Sequence, residues 1–345
     1  MKPHDPGITS ALLSALLFGA GTPLAKMLLG NVSPWAMAGL LYLGSGIGLA
    51  LYRRICKATP AHLPGKEIPW LLGAILSGGV AAPVLLMAGL KGMPASGASL
   101  LLNTEGVFTT LLAWFAFREN FDRRIALGMI AILSGALILS WPSEIQFSGL
   151  LPSLSILCAC LLWGIDNNLT RKVSLSDASW IASVKGLSAG SVNLALAFFL
   201  GDSLPPPANA IGAAFVGFFA YGVSLSLFVV GLRHLGAART GAYFSSAPFF
   251  GVLLSLLMGE AVSITLVMAG ALMLFGVWLH LTENHEHEHF HEAIEHDHEH
   301  VHDMHHLHTH ATEVPPGTRH SHFHRHEPML HTHPHFPDMH HLHPH

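Results

Sequence analysis

The sequence predicts an all-α polytopic membrane protein: ten transmembrane helices as two inverted five-helix repeats, plus a disordered His-rich tail. Three observations predict it. Charged residues make up only 11% of the 345, and hydrophobic residues 51%, whereas soluble globular domains carry roughly 25% charge. Apolar runs of about 20 residues, long enough to cross about 30 Å of hydrocarbon at 1.5 Å per residue, recur ten times. Lastly, 23 of the 27 histidines crowd into residues 282–345.

The runs fall at about 7–29, 33–52, 68–90, 94–117, 124–141, 148–168, 177–200, 209–231, 236–258 and 261–281. The first is too long for a cleaved signal peptide, lacks a small-residue cleavage site, and is followed by nine similar runs. Turn formers punctuate the joints: Asn31-Val32-Ser33-Pro34, the stretch from Pro60 to Pro69, Trp141-Pro142, and Pro205-Pro206-Pro207. A water-soluble helical core could not hide so many runs with so few polar faces.

Basic residues set the orientation. With the N-terminus inside, the inner loops carry Arg53, Arg54, Lys57 and Lys66, then Arg118, Arg123 and Arg124, then Arg171 and Lys172, then Arg233 and Arg239. The outer side carries only Lys91 and Lys26. That bias predicts a cell-membrane protein with both termini cytoplasmic. It also accounts for the positive charge without nucleic acid as a partner.

The two halves repeat. "FGAGTPLAK" (18–26) aligns with "WGIDNNLTR" (163–171) at an offset of 145, "GLKGMPASGASLLLNTEGVF" (89–108) with "GLRHLGAARTGAYFSSAPFF" (231–250) at 142, and "FRENF" (117–121) with "MGEAV" (258–262) at 141. Five spans per half is an odd number, so the second copy must lie upside down, an arrangement used by alternating-access carriers. The expected domains are 1–145, 146–281 and the tail 282–345.

These residues resemble the drug/metabolite transporter superfamily, EamA branch. The likeness rests on Phe18-Gly19 and Trp163-Gly164 at the start of each half, on "NTEGVFTTLLAWFAFRENF" (103–121), and on "SAPFFGVLLSLLMGEAVS" (246–263), with Glu119 and Glu260 closing the fourth and ninth helices. It covers about residues 7–281. The resemblance implies a secondary carrier, not an enzyme, with a cavity lined by helices one, three, four, six, eight and nine. It implies export of small metabolites without naming the cargo.

Polar groups inside the hydrocarbon mark candidate cavity positions, because a charge at mid-bilayer costs about 2.5–3.5 kcal/mol on the lenient insertion scale. Glu105 lies halfway along the fourth run beside Asn103 and Thr104. Desolvation favours its neutral form, which suits proton exchange or cation binding; a carboxyl held for helix packing is the alternative. Lys185 lies within the seventh run, where it either snorkels or pairs, Glu105 being one partner. Asp166, Asn167 and Asn168 end the sixth run and either line the inner mouth or form a hydrated helix end. Pro83 and Pro248 interrupt helices three and nine and each frees a carbonyl one turn back. Such a carbonyl is tolerated in lipid where neighbours or a wet cavity satisfy it. Gly44/Gly48 and Gly186/Gly190 are GxxxG pairs in corresponding helices.

Some patterns mislead. "GLSAG" (186–190) has the G-x-S-x-G spacing but sits mid-helix rather than at a strand–turn–helix elbow. "HEHEH" (285–289) and "HEHVH" (298–302) match a zinc-protease pattern only because His fills alternate positions. Cys56, Cys158 and Cys160 give no disulfide framework, and Cys158 with Cys160 reads as two small hydrophobes rather than a soft-metal site.

The tail holds 11 acidic residues and two arginines, which leaves 15 basic against 10 acidic residues in 1–281. Its candidate metal ligands are His285, His287, His289, His291, His296, His298, His300, His302, His305, His306, His308 and His310. Neutral imidazole suits Ni, Zn, Co and Cu, and redundant shifting coordination is expected. With too few apolar residues to build a core, the tail should be disordered without metal. Three functions follow: a metabolite exporter with a metal-binding tail, a divalent-metal carrier fed by that tail, or a membrane-anchored metal store. No other cofactor is called for, the bilayer and a small-molecule or metal-ion substrate are the expected partners, and a homodimer is compatible with the sequence.

Overall fold

The computed structural model describes residues 6–30, 32–58, 63–117, 123–140, 147–173 and 176–281, and, in the tail, 286–291, 295–300, 320–325 and 329–334. Along 6–281 these residues form α1 (Pro6–Leu29), α2 (Pro34–Ile55), α3 (Ile68–Ala74), α4 (Ala82–Gly92), α5 (Ala95–Leu101), α6 (Thr104–Phe117) and α7 (Arg123–Ser140). There follow α8 (Phe147–Arg171), α9 (Ala178–Phe199), α10 (Pro207–Gly217), α11 (Ser224–Phe244), α12 (Ala247–Leu257) and α13 (Ile264–Leu281). Wider π turns at Ile75–Ala81 and Phe218–Val223 join α3 to α4 and α10 to α11.

Six of the described runs are long and apolar enough to cross a membrane: Gly7–Leu29, Pro34–Ile55, Gly65–Gly92, Leu150–Arg171, Ala178–Phe199 and Pro207–Gly231. Shorter apolar helices cover Ala126–Leu139, Ala247–Leu257 and Ile264–Leu279. Large apolar side chains such as Leu16, Ile47, Leu137, Ile211, Phe215 and Leu257 face outward, while Ser14, Thr22, Asn103, Asp166, Lys185 and Asn193 are buried. Polar groups inside an apolar coat are the distribution that lipid selects.

Local chemistry sets the ends. Ser33 caps α2, its Oγ accepting the Ala36 N–H at 3.0 Å, and Pro34 sits at the first helical position where no amide hydrogen is needed. Asp177 caps α9 by accepting the Trp180 N–H at 2.8 Å, and Arg53 from the end of α2 pairs with it.

Two expected helices are not continuous. The fourth breaks at Leu102–Asn103 into α5 and α6, and the ninth at Ser245–Ser246 into the end of α11 and α12. Polar side chains satisfy the carbonyls at each break. Asn103 and Thr104 donate to Leu100 O and Leu101 O at 3.2 and 2.8 Å; Ser245 and Ser246 donate to Gly241 O and Tyr243 O at 2.9 and 2.7 Å. Pro248 therefore sits in the first turn of α12, not inside a helix. Helix α11 folds back on itself. In a straight helix Phe228 and Phe244 would stand about 24 Å apart, yet their rings lie 4.8 Å apart, so the element holds the end of the eighth run and the start of the ninth.

The packing is reciprocal. Helix α2 packs on α9 and α7 on α13, each a counterpart pair; α1 packs on α11 and α12 as α8 packs on α4 and α6. The reciprocity reaches single residues. A Cβ at Gly19 would lie 3.1 Å from Phe250 Cβ, and one at Gly164 would lie 3.0 Å from Phe108 Cβ. The small residue after Phe18 and after Trp163 thus admits the same partner in each half.

Of the GxxxG pairs, Gly186 and Gly190 face α2, with added Cβ atoms 2.5 Å from Gly46 N and Leu43 N. Gly44 and Gly48 instead meet Ala214 and Phe218. The true partner of Gly186 is Gly46, which the motif spacing did not mark.

The described tail is a separate unit. Strand β1 (Glu286–His291) pairs antiparallel with β4 (Met329–Pro334), and β2 (Glu295–His300) with β3 (His320–Arg325). The expectations for His285, His302, His305, His306, His308 and His310 lie outside the described residues, as does Glu119.

Candidate functional site

The site begins with a helix defect. Pro83 has no N–H to give to the carbonyl four or five residues back, which are those of Gly79 and Gly78. Both are filled from other helices. Tyr42 OH and Trp163 Nε1 donate to Gly78 O at 2.7 and 3.0 Å, and Asn193 Nδ2 donates to Gly79 O at 3.2 Å. Helices α2, α8 and α9 are thereby tied to the π turn.

Gly78 also gives Asp166 its place, since a Cβ there would fall 1.9 Å from Asp166 Oδ2. Asp166 is only 6% exposed and Lys185 3%. Lys185 Nζ donates to Asp166 Oδ1 and Oδ2 at 2.5 and 2.7 Å and to Thr170 Oγ1 at 3.2 Å; Thr170 donates in turn to Asp166 Oδ1 at 2.8 Å. All three ammonium hydrogens are used. The pair of Lys185 with Glu105, one option open from the sequence, does not form; Asp166, closer to Lys185 in sequence and reached across Gly78, takes its place.

Glu105 stands in the first turn of α6, just past the break. Its Oε1 accepts from Asn167 Nδ2 at 2.8 Å, and the same amide reaches Thr109 Oγ1 at 3.2 Å. Its Oε2 has no hydrogen-bond partner among the described residues.

Glu105, Asp166, Asn167 and Lys185 together line a cavity of about 70 Å³. Aromatic rings form much of the remaining wall. Phe18 packs edge-on against Trp163 and Tyr221, at centroid distances of 6.0 and 5.8 Å, and lies 5.3 Å from Phe244. Tyr42 lies 5.3 Å from Tyr221. Ser45 and Tyr221 add hydroxyls to the lining, neither with a hydrogen-bond partner among the described residues. Both halves of the chain contribute.

The other candidates lie elsewhere. Asn103 closes the break between α5 and α6 and is 4% exposed. Asn168 clamps α8 to α6 by donating to Thr109 O at 3.1 Å, and it also donates to Gly164 O, one turn back on α8, at 2.9 Å. Pro83 acts through the carbonyls it frees, and Pro248 starts α12. Tyr42, Tyr221 and Asn193 were missed by sequence reasoning, although Asn193 was visible as an amide in an apolar run. Cys160 is buried and Cys158 exposed, so the two do not converge. Among the described residues there is no group of three or more metal-type side chains.

On the outer side expected from the sequence, Glu260 closes a contact between the halves. Its carboxylate accepts the N–H groups of Ala95 and Ser96 at 2.8 and 2.9 Å, while Lys26 Nζ donates to Leu90 O. Partial burial pushes this carboxyl up, but the hydrogen bonds from Ser96 and Ala95, with the Lys26 charge nearby, outweigh it and hold it below the usual range.

A helical bundle in an apolar coat, two reciprocal halves and an internal cavity that gathers charged and amide side chains define a polytopic membrane transporter. The family model described as the EamA-like transporter family matches residues 5–141 and again 150–282. The chain belongs to the EamA-like transporter family, whose members are transporters rather than enzymes. It is 29% identical over 294 residues to an uncharacterized transporter of Methanothermobacter thermautotrophicus, covering 79% of this chain and 85% of that one. A probable amino-acid metabolite efflux pump of Salmonella typhimurium is 29% identical over 168 residues, covering 47% of this chain and 52% of that protein. A solved crystal structure superposes with a TM-score of 0.63 at 18% identity, over 79% of this chain and 98% of the other, and shows the same fold.

Proposed function

We propose that this chain is a secondary carrier that exports small organic metabolites by alternating access, through two five-helix repeats of opposite orientation with both termini cytoplasmic. The observation that carries the reading is the cavity itself: Glu105 of the first half and Asp166, Asn167 and Lys185 of the second meet around one space in an apolar bundle. Supporting it are the odd number of runs per half, the reciprocal packing, and the broken fourth and ninth helices, a feature of carriers that bind cargo at mid-bilayer. Likeness to proteins named as amino-acid metabolite efflux pumps supports export of organic cargo over metal. Proteoliposomes loaded with a labelled metabolite panel test it. Efflux that Glu105→Gln lowers at least tenfold is expected, and a panel with no cargo moved, alongside uptake of labelled nickel, cobalt or zinc, would establish the metal-carrier reading instead.

The tail is proposed to bind divalent metal, Ni, Zn, Co or Cu. The strand register supports this: His287 stands opposite His333, His289 opposite His331, His296 opposite His324, His298 opposite His322, and His300 opposite His320. Zinc titration of the full chain against one lacking 282–345 tests it. Binding that survives the deletion refutes it, and loss of all activity with the tail would favour the anchored metal store.

A further inference from the structure

When ionised, Glu105 is the one charge in the cavity that its own wall does not answer. Asp166 and Lys185 cancel, and Lys185 spends its three hydrogens on Asp166 and Thr170. Glu105 lines the space and keeps Asn167 on one oxygen, while the other has no hydrogen-bond partner among the described residues. A carboxylate in a low-dielectric pocket strongly favours a counter-charge. Around it stand Phe18, Trp163, Tyr221 and Phe244, whose ring faces attract cations and accept apolar surface.

We infer that the cavity, widened beyond its present volume of about 70 Å³, takes a small organic ammonium ion with an apolar or aromatic body and no carboxylate of its own, Glu105 holding the ammonium and the rings the body. The inference rests on the carrier reading and narrows it. A zwitterionic amino acid fits poorly because its carboxylate would need a cationic donor. Among the described lining residues the single cation is Lys185, already saturated; the Ser45 and Tyr221 hydroxyls are neutral donors. Placing a second carboxylate beside Glu105 without a partner is disfavoured.

A matched ligand series decides it: 2-phenylethylamine, phenylalanine, 3-phenylpropionate and 2-phenylethanol, each measured for binding to the full chain in detergent and for exchange in proteoliposomes. Expected is binding of 2-phenylethylamine at least about tenfold tighter than phenylalanine or 2-phenylethanol, with 3-phenylpropionate weakest. Glu105→Gln should erase the advantage of the amine over the alcohol. Should that variant fail to fold, the wild-type ranking alone decides. Phenylalanine binding as well as the amine overturns the inference, and its exchange across the bilayer leaves the carrier reading standing. Absence of binding by all four ligands also overturns it. Amine that binds but never crosses the bilayer upholds the inference and removes the carrier reading.

Discussion

Breaking the Asp166–Lys185 pair should cost far more than removing it. Both partners are almost fully buried, and Lys185 makes contacts of 2.5 and 2.7 Å to the carboxylate. Among the described residues, Lys185→Met leaves Asp166 with only the Thr170 hydroxyl, at 2.8 Å, and Asp166→Asn leaves a buried ammonium with one neutral carbonyl and Thr170. Removing one partner of a buried pair costs about 3–5 kcal/mol, whereas replacing both with uncharged groups is often neutral. Each single variant should therefore lose about 3–5 kcal/mol and the double variant Asp166→Asn/Lys185→Met less than about 2 kcal/mol. The assay is equilibrium unfolding in mixed detergent micelles followed by tryptophan fluorescence, read as a double-mutant cycle. A coupling below about 1 kcal/mol would refute the reasoning, because the two charges would then be satisfied by water or by other groups.

Gly186→Ala would place a methyl 2.5 Å from Gly46 N and 2.8 Å from Tyr42 O, backbone atoms that cannot step aside, so the same titration should show a loss of about 1–3 kcal/mol. Asn193→Leu strands the Gly79 carbonyl and should cost about 1–3 kcal/mol; in a Pro83→Ala background, where an amide hydrogen is again available one turn on, the cost should fall below about 1 kcal/mol. Equal costs in both backgrounds would mean that Pro83 is not why Asn193 is needed. Glu260, held below its ordinary range, contributes stability that is present above the unfolded-state value and is lost as pH falls through the folded one. Unfolding titrations between pH 6 and pH 3 (an assay range of roughly three units) should show a steeper acid loss in wild type than in Glu260→Gln; identical slopes would count against the cap.

Hydrophobic runs and proline punctuation placed the helices to within a few residues, because in lipid a spanning segment must be apolar throughout. Glu105, Asp166, Asn167 and Lys185 were legible for the complementary reason: a charge or amide in such a run needs a partner. Which partner was not legible. Lys185 meets Asp166 rather than Glu105 because Gly78 leaves room at one point on a third helix, a fact of packing and not of spacing. Asn167 and Asn168 differ by about 100° around one helix, and only the contacts of α6 separate a cavity amide from a clamp. The breaks at Asn103 and at Ser245–Ser246 left no gap in hydropathy, since polar side chains close them within apolar surroundings. Tyr42 and Tyr221 were hidden because a ring serves equally well against lipid, core or cargo.

Tyr42 and Trp163 hold two positions at once: each is a panel of the chamber and a tether on Gly78. Anything that enters and shoulders either ring aside also slackens the coil to which it is fastened. Chamber wall and helix defect therefore share the same two side chains, one from each half of the molecule.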